Sequence, residues 1–376
     1  MDHLALLSGD PAAFLTEVWG RRTHFHDADP ATLASIFGID AADDLITTRS
    51  LRTPQVRLAQ DGTVLDPSRY TRHATIAGQA MTGLLDTRKV LALFEDGATI
   101  VFQGLQRYHE PLRLLVRDLE RQIGHPCQAN AYLTPPGSQG FALHSDTHDV
   151  FTFQTYGTKE WEVHDAEGEH QVPMRPGTCM YLPTGTPHMA RTGADTASLH
   201  VTVGINQVVW SEVLRDVVTR TIAADATLGE HLPGGLFTDP DALASALRER
   251  LAHVAGLLAD VDAVAEVDRL ETIFGTRRQP VLAGGLRDVL DVRHLAPDTR
   301  LRRRPGSQAT VRARGDQVEV LLGDRRLTLP ARVEPAVRSV LDADTLTPAD
   351  VRGLDEAGAL TLCRRLVREG LLEVVR

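Results

Sequence analysis

The spacing of apolar and polar positions changes period twice along the chain. At the start, Asp10 to Gly20 places Phe14, Val18 and Trp19 on one helical face, and Gly20 provides the stop. Leu85 to Phe94 and Pro111 to Ile123 repeat that period, and Gly124-His125-Pro126 closes the second helix. Between them a short alternating run, Pro54 to Leu58, precedes Asp61-Gly62, a pair that favours the φ > 0 conformations of a tight hairpin. From Cys127 to Val209 the period falls to two. Short apolar runs alternate with turns rich in Gly, Pro and Asp, which predicts an antiparallel sandwich or barrel.

After Trp210 the helical period returns. Ser211 to Asp225, Pro240 to Gly256 and Leu257 to Gly275 read as helices rich in Ala and Leu. Arg300 to Pro305 reads as a basic linker. Two strands, VEVLL and RRLTL, then flank Gly323-Asp324. Helices over Glu334 to Asp342, Thr347 to Asp355 and Glu356 to Glu369 precede a last strand at Leu371 to Val375. That order suggests a winged-helix domain. The expected fold class is α+β, and the expected boundaries are 1–209 for the β-rich domain, 210–299 for a helical region and 300–376 for the winged helix.

A length of 376 residues fits two or three domains of ordinary size. The net charge of −10 argues against nucleic acid as a partner of the whole chain and favours basic ones. Residues 300–376 hold 15 arginines against 11 acidic residues, so they carry +4 and the remainder carries −14. The opening residues lack the basic and apolar regions of a signal peptide, and no run is long enough for a membrane helix. Three scattered cysteines, Cys127, Cys179 and Cys363, make neither a zinc pattern nor a disulfide framework, so a reducing cytoplasm is expected.

The candidate chemistry lies in ALHSDTHDVFTFQTYGTKEW, Ala142 to Trp161. In a strand, His144 and Asp146 would share one face. One imidazole and one carboxylate are two members of a 2-His-1-carboxylate triad, a set that leaves coordination positions open on Fe(II). His188, after the turn Pro-Thr-Gly-Thr-Pro, is a candidate third ligand. His148 and Asp149 remain alternatives, and His200 lines the same cavity or is a core histidine. Lys159 shares its face with Trp161 and Val163 and should point inward. A buried ammonium needs a partner, and the distal carboxylate of a co-substrate such as 2-oxoglutarate would supply one.

These segments, with NAYLTPPGSQGF before them and YLPTGTPH and SLHVTVG after, closely resemble the JmjC-type ribosomal oxygenases, cupin-fold protein hydroxylases dependent on Fe(II) and 2-oxoglutarate. The match is strongest from Asn130 to Gly204. By position the resemblance implies His144, Asp146 and His188 as iron ligands and Lys159 as the partner of the co-substrate's distal carboxylate. It also implies Asn130, Tyr132 and Ser198 at the co-substrate pocket, with His200 near them and 134–141 as a loop beside it. Ser145 and Thr155-Tyr156 depart from the family and are expected to border the mouth.

The implied activity is hydroxylation of a protein or peptide side chain, such as Arg or His of a ribosomal protein; demethylation of an N-methyl-lysine uses the same iron centre. The resemblance also implies a homodimer built on the helical region. The competing readings are a non-enzymatic metal- or ligand-sensing cupin with a winged-helix DNA- or protein-binding tail, and a zinc or manganese cupin isomerase. Lys159 argues against the isomerase.

Overall fold

The computed structural model describes residues 1–138 and 142–376 and divides the chain into two compact units, Met1–Gln207 and Val208–Arg376.

The first unit is built on thirteen strands. They are β1 (His24–Asp27), β2 (Val56–Gln60), β3 (Thr63–Val64), β4 (Thr71–Ile76), β5 (Gln79–Leu85), β6 (Thr99–Phe102), β7 (Cys127–Thr134), β8 (Asp149–Tyr156), β9 (Lys159–Asp165), β10 (Gly168–Met174), β11 (Thr178–Leu182), β12 (His188–Thr192) and β13 (Ser198–Ile205). One sheet has the order β1-β11-β8-β13-β7-β6-β2-β3, and a second has the order β10-β9-β12; β4 and β5 form a separate ribbon. All these pairings are antiparallel. The expected β region is present, and Asp61-Gly62 turns β2 into β3 as its composition demands.

The large sheet is buried on both faces, and its alternation is inverted relative to a simple sandwich. Ala129, Ala131 and Leu133 of β7, Phe151 and Phe153 of β8, and Leu199, Val201 and Val203 of β13 face the main apolar core. Their in-between neighbours are polar and face a cavity. Helices cover the apolar side. In the Glu110–Ile123 helix, Leu112, Leu115, Val116 and Leu119 recur at the 3.6-residue period and are buried, and Gly124 ends it in the left-handed region at φ 79°. The N-terminal segment contributes Phe14, whose ring lies 5.1 Å from Phe151 and 4.9 Å from Tyr181. This segment is not the continuous helix expected over 10–20. After Pro11–Ala13 it widens into a π-helical turn, Phe14–Val18, closed by Trp19 N–H on the Phe14 carbonyl at 2.9 Å.

The second unit opens with helices Trp210–Ala224, Pro240–Ala259 and Ala263–Thr276, none of which has a buried residue. The expected break at Leu257 falls later, because the helix runs on to Ala259 and Asp262 caps the next one. Six short strands follow: β14 (Leu301–Arg303), β15 (Thr310–Arg314), β16 (Gln317–Leu321), β17 (Arg326–Pro330), β18 (Thr345–Leu346) and β19 (Leu372–Val374). They form the sheets β18-β14-β19 and β15-β16-β17. Helices Glu334–Leu341 and Glu356–Arg368 pack in the same core.

Two expectations fail here. Arg300 to Pro305 is not a linker: β14 is the central strand of its sheet, Leu301 is fully buried and Arg304 is locked by ion pairs. Charge made the segment look solvated, yet its charges are neutralised inside the fold. The span 347–355 forms only one short 3-10 turn, Pro348–Asp350, held by a capping box between Thr347 and Asp350.

Candidate active site

A cavity of about 270 Å³ opens between the two sheets of the first unit. The large sheet lines it with the alternating polar positions Asn130, Tyr132 and Thr134 of β7, Thr152 of β8, and His200 and Thr202 of β13. The small sheet adds Lys159, Trp161, His188 and Ala190. The ligand candidates His144 and Asp146 lie at the same cavity, as does His148.

His144 and Asp146 do not sit in a regular strand. Strand β8 begins only at Asp149, and His144 makes an isolated antiparallel bridge with His188. That bridge aligns the ligands instead. His144 N donates to the His188 carbonyl at 3.1 Å, and His188 N donates back to the His144 carbonyl at 2.7 Å. Gly185 N binds the Asp146 carbonyl at 2.9 Å. The result is a set of ligand atoms from His144, Asp146 and His188 all within 4.8 Å of one another, with His188 Nε2 3.7 Å from Asp146 Oδ2.

Both imidazoles are oriented by their own segments. His144 Nδ1 lies 2.8 Å from the Ala142 carbonyl and His188 Nδ1 lies 2.9 Å from the Thr186 carbonyl. A carbonyl only accepts, so each Nδ1 carries the proton and each Nε2 carries the lone pair a metal needs. Burial, with the neighbouring His144 adding to it, pushes the His188 imidazole below the usual histidine range. Two imidazoles and one carboxylate would suit a divalent first-row metal.

Lys159 enters the cavity from the start of β9. The hairpin that delivers it turns at Gly157, where φ is +59° and a Cβ would collide with the Ala197 carbonyl oxygen. Lys159, Trp161 and Val163 are buried on one face, as their spacing predicts. The ammonium has one acceptor among the described residues, Thr134 Oγ1 at 3.1 Å, and Thr134 in turn accepts from Thr99 Oγ1 at 3.2 Å. Three N–H donors with one acceptor in a buried site is an unfinished arrangement. Burial alone pushes this lysine down to about 8. A carboxylate would complete it.

The other expected residues divide. Asn130 and Tyr132 line the cavity; Asn130 Oδ1 also accepts from Gly104 N at 3.0 Å and so ties β7 to the next loop. His200 lines the cavity and stacks on Tyr132 at 5.0 Å, with the Trp161 ring edge-on at 5.3 Å. Burial, with the charges of Lys159 and His188 adding to it, holds His200 well below the usual histidine range, so it is neutral. Ser198 is not among the lining residues. It is wholly buried, and its hydroxyl accepts from Gln154 Nε2 at 2.8 Å. Ser145 and Thr155-Tyr156 do not border the cavity either: Ser145 is exposed, Thr155 binds the Leu199 carbonyl, and Tyr156 faces outward. Of the loop 134–141, Thr134 lines the cavity, and Gln139, Gly140 and Phe141 lie outside the described residues.

Arg57 of β2 is a lining residue that sequence reasoning missed. Strand β6 joins β2 to β7, and the register sets Arg57 opposite Val101 and Val101 opposite Tyr132. The guanidinium reaches the Tyr132 hydroxyl, which also bonds Thr202. Nothing in the short run PQVRL marks its arginine as inward-facing; the alternation of Asn130, Tyr132 and Thr134 did carry such a signal.

A JmjC domain profile matches residues 106–172. Ribosomal oxygenase 2 of Bos taurus is 31% identical over 241 residues, covering 57% of this chain and 50% of that protein. The bifunctional lysine-specific demethylase and histidyl-hydroxylase NO66 of Branchiostoma floridae is 32% identical over 145 residues, covering 37% of this chain and 24% of that one. The chain thus spans half or less of the length of these curated relatives. Among solved structures, the Escherichia coli ribosomal oxygenase YcfD shares the fold with a TM-score of 0.54 at 17% identity, covering 97% of this chain and 98% of that one. One structure of YcfD holds cobalt and 2-oxoglutarate. The JmjC match in sequence and the shared fold meet on the unit that carries His144, Asp146, His188 and Lys159, so this unit is similar in sequence to the JmjC ribosomal oxygenases and shares their fold.

Proposed function

We propose that the first unit is an Fe(II)- and 2-oxoglutarate-dependent oxygenase that hydroxylates a side chain of a protein or peptide. The observation that carries this reading is the meeting, in one cavity, of a His-Asp-His set and a buried ammonium with no anionic partner among the described residues. His144, Asp146 and His188 would hold the iron, and Lys159 would hold the distal carboxylate of 2-oxoglutarate. Iron with this co-substrate supplies the oxidising power to hydroxylate an unactivated C–H bond.

The chain's own residues do the rest. The His144–His188 bridge fixes the ligand spacing. Thr134 steers the Lys159 ammonium. Trp161, Leu182, Val150 and Ala190 give the cavity apolar lining, which strengthens charge pairing inside it. Arg57 and Tyr132 form another part of the lining. Among the described residues, no lining residue apart from Asp146 is acidic. A cationic substrate side chain would meet Arg57 without a compensating carboxylate, so of the Arg and His targets raised above this lining favours histidine, and it disfavours methyl-lysine. The relatives' names point to a ribosomal protein as the source of that side chain.

The exposed apolar side chains Trp210, Leu214, Leu247, Leu251, Val264 and Val267 on the first three helices of the second unit support a homodimer through that region. The core that follows, with its two three-stranded sheets, is compatible with a winged helix. Its arginines give little support to a nucleic-acid role: Arg302, Arg312, Arg314, Arg325, Arg326, Arg338 and Arg365 all pair with acidic residues of the same unit. Three buried free cysteines agree with a reducing compartment such as the cytoplasm. Among the described residues no helix is long and apolar enough to cross a membrane.

Anaerobic addition of Fe(II) and 2-oxoglutarate to the purified chain tests the reading. A visible charge-transfer band is expected, lost in His144→Ala and weakened in Lys159→Ala. Histidine-containing ribosomal peptides should then gain about 16 Da, one oxygen atom. Iron bound without the band sinks the oxygenase assignment.

A further inference from the structure

The two segments that carry the ligand candidates are joined through the backbone, by the His144–His188 bridge and by Gly185 N on the Asp146 carbonyl, and also through a side chain, Asp149, which no step above uses. Asp149 opens β8 and is 3% exposed. Its Oδ1 accepts from Thr184 N at 2.8 Å, from Thr184 Oγ1 at 2.7 Å and from Gln207 Nε2 at 3.2 Å. Its Oδ2 accepts the Tyr181 hydroxyl proton, and the Tyr181 oxygen accepts Gly20 N at 2.8 Å. Burial above all, with Asp149 reinforcing it, raises the Tyr181 phenol far beyond its usual range, so that group remains a donor.

These contacts have a definite geometry. Thr184 lies in the Pro183–Pro187 turn immediately before His188, and Gly185 in the same turn binds the Asp146 carbonyl. Asp149 lies three residues after Asp146. The carboxylate therefore grips the turn leading to one ligand from the segment holding the other two. Its four acceptor contacts saturate a carboxylate, and no Lys or Arg pairs with it among the described residues. A buried carboxylate neutralised by no cation is costly for packing alone. It makes physical sense beside a site built for a dication, which its charge would favour.

We propose that Asp149 is a positioning residue for the metal site: it sets the separation of the two ligand segments and adds negative charge behind them. This inference rests on the metal-site reading above. Outer partners that orient ligands typically change metal affinity by about 10- to 100-fold when removed.

The test uses Co(II) as the probe on the full chain, followed by its visible absorption, with melting temperature measured in parallel. Wild type should bind Co(II) and His144→Ala should not; if wild type fails to bind, the metal-site reading itself falls. Asp149→Asn keeps the shape and loses the charge. It should weaken Co(II) binding at least about tenfold and shift the band shape, because ligand geometry relaxes. Thr184→Ala leaves the charge but cuts the tie to the turn, and should give a smaller loss with the same shift. Wild-type binding with unchanged affinity and band in both folded variants overturns the proposal. If Asp149→Asn does not fold, Thr184→Ala alone decides: an unchanged band and affinity overturn it.

Discussion

Each unit buries a cation in its interior, and the two are treated in opposite ways. In the second unit Arg304 is 2% exposed and its donors are satisfied. It pairs with Asp288 and Glu373 and donates to the carbonyls of Ala283, Gly370 and Leu372. In the first unit Lys159 is 3% exposed and, among the described residues, has a single hydroxyl for company. Burial costs both ions several kcal/mol of hydration, and only Arg304 recovers it from the protein. A saturated buried charge is a clasp between elements. An unsaturated one is a place for a ligand, because the missing partner must come from outside.

The sharpest way to break that contrast is Lys159→Met. If the ammonium serves a ligand, 2-oxoglutarate binding should fall by about 100-fold or more, the scale of losing one partner of a buried ion pair. The ligand-free protein should melt no lower than wild type, since an uncompensated charge has been removed. A drop in melting temperature with unchanged 2-oxoglutarate binding would place Lys159 with Arg304 as a clasp.

Arg304→Met should show the mirror image. It leaves the buried Asp288 to the partly exposed Arg376 and Glu373 to the exposed Arg302, and up to about 3–5 kcal/mol of stability should go from the second unit in denaturant unfolding. Co(II) binding by the first unit should be unaffected.

Titration refines the comparison. The folded pKa of Lys159 is lowered to about 8 from 10.5. Between those values the unfolded chain holds a proton that the folded chain does not, so ligand-free stability should rise as pH rises through that window and fall back as pH drops to about 8. The span is on the order of 3 kcal/mol at 1.36 kcal/mol per pH unit. Bound 2-oxoglutarate, which favours the ammonium, should flatten or reverse the slope. Arg304 stays charged throughout and gives no such window. The smallest expected effect is at the surface: Trp210→Glu, at a side chain 79% exposed, should shift sedimentation toward monomer and leave Co(II) affinity unchanged.

Much of this site was legible beforehand. His144, Asp146, His188 and Lys159 were named from residue type and spacing together with a family resemblance, and the structure brings them to one cavity. The inward turn of Lys159 followed from strand parity with Trp161 and Val163. Ser198 is not among the cavity-lining residues although it lies opposite Thr134 in the β13–β7 register, because its hydroxyl is taken up by Gln154 next to the irregular β13–β8 pairing. His144 and Asp146 come together with His188 by a route other than the expected one: the alignment comes from the bridge to His188, not from a shared strand.

By itself the sequence determined what depends on local order: the helical and two-residue periods, the Gly157 turn, the residue types of the candidate metal donors and the odd cation near Trp161. Only the tertiary structure decided which polar groups meet across distant segments. Arg57 reaches Tyr132 because β6 places β2 in the same sheet as β7, and Asp149 reaches Thr184 because the ligand bridge brings the two segments together. Arg304 looked like a linker charge until its acids, 16 and 69 residues away in sequence, closed around it. Periodicity records which way a side chain points, but hydrogen bonds and ion pairs depend on separations that the chain acquires only when the sheets assemble.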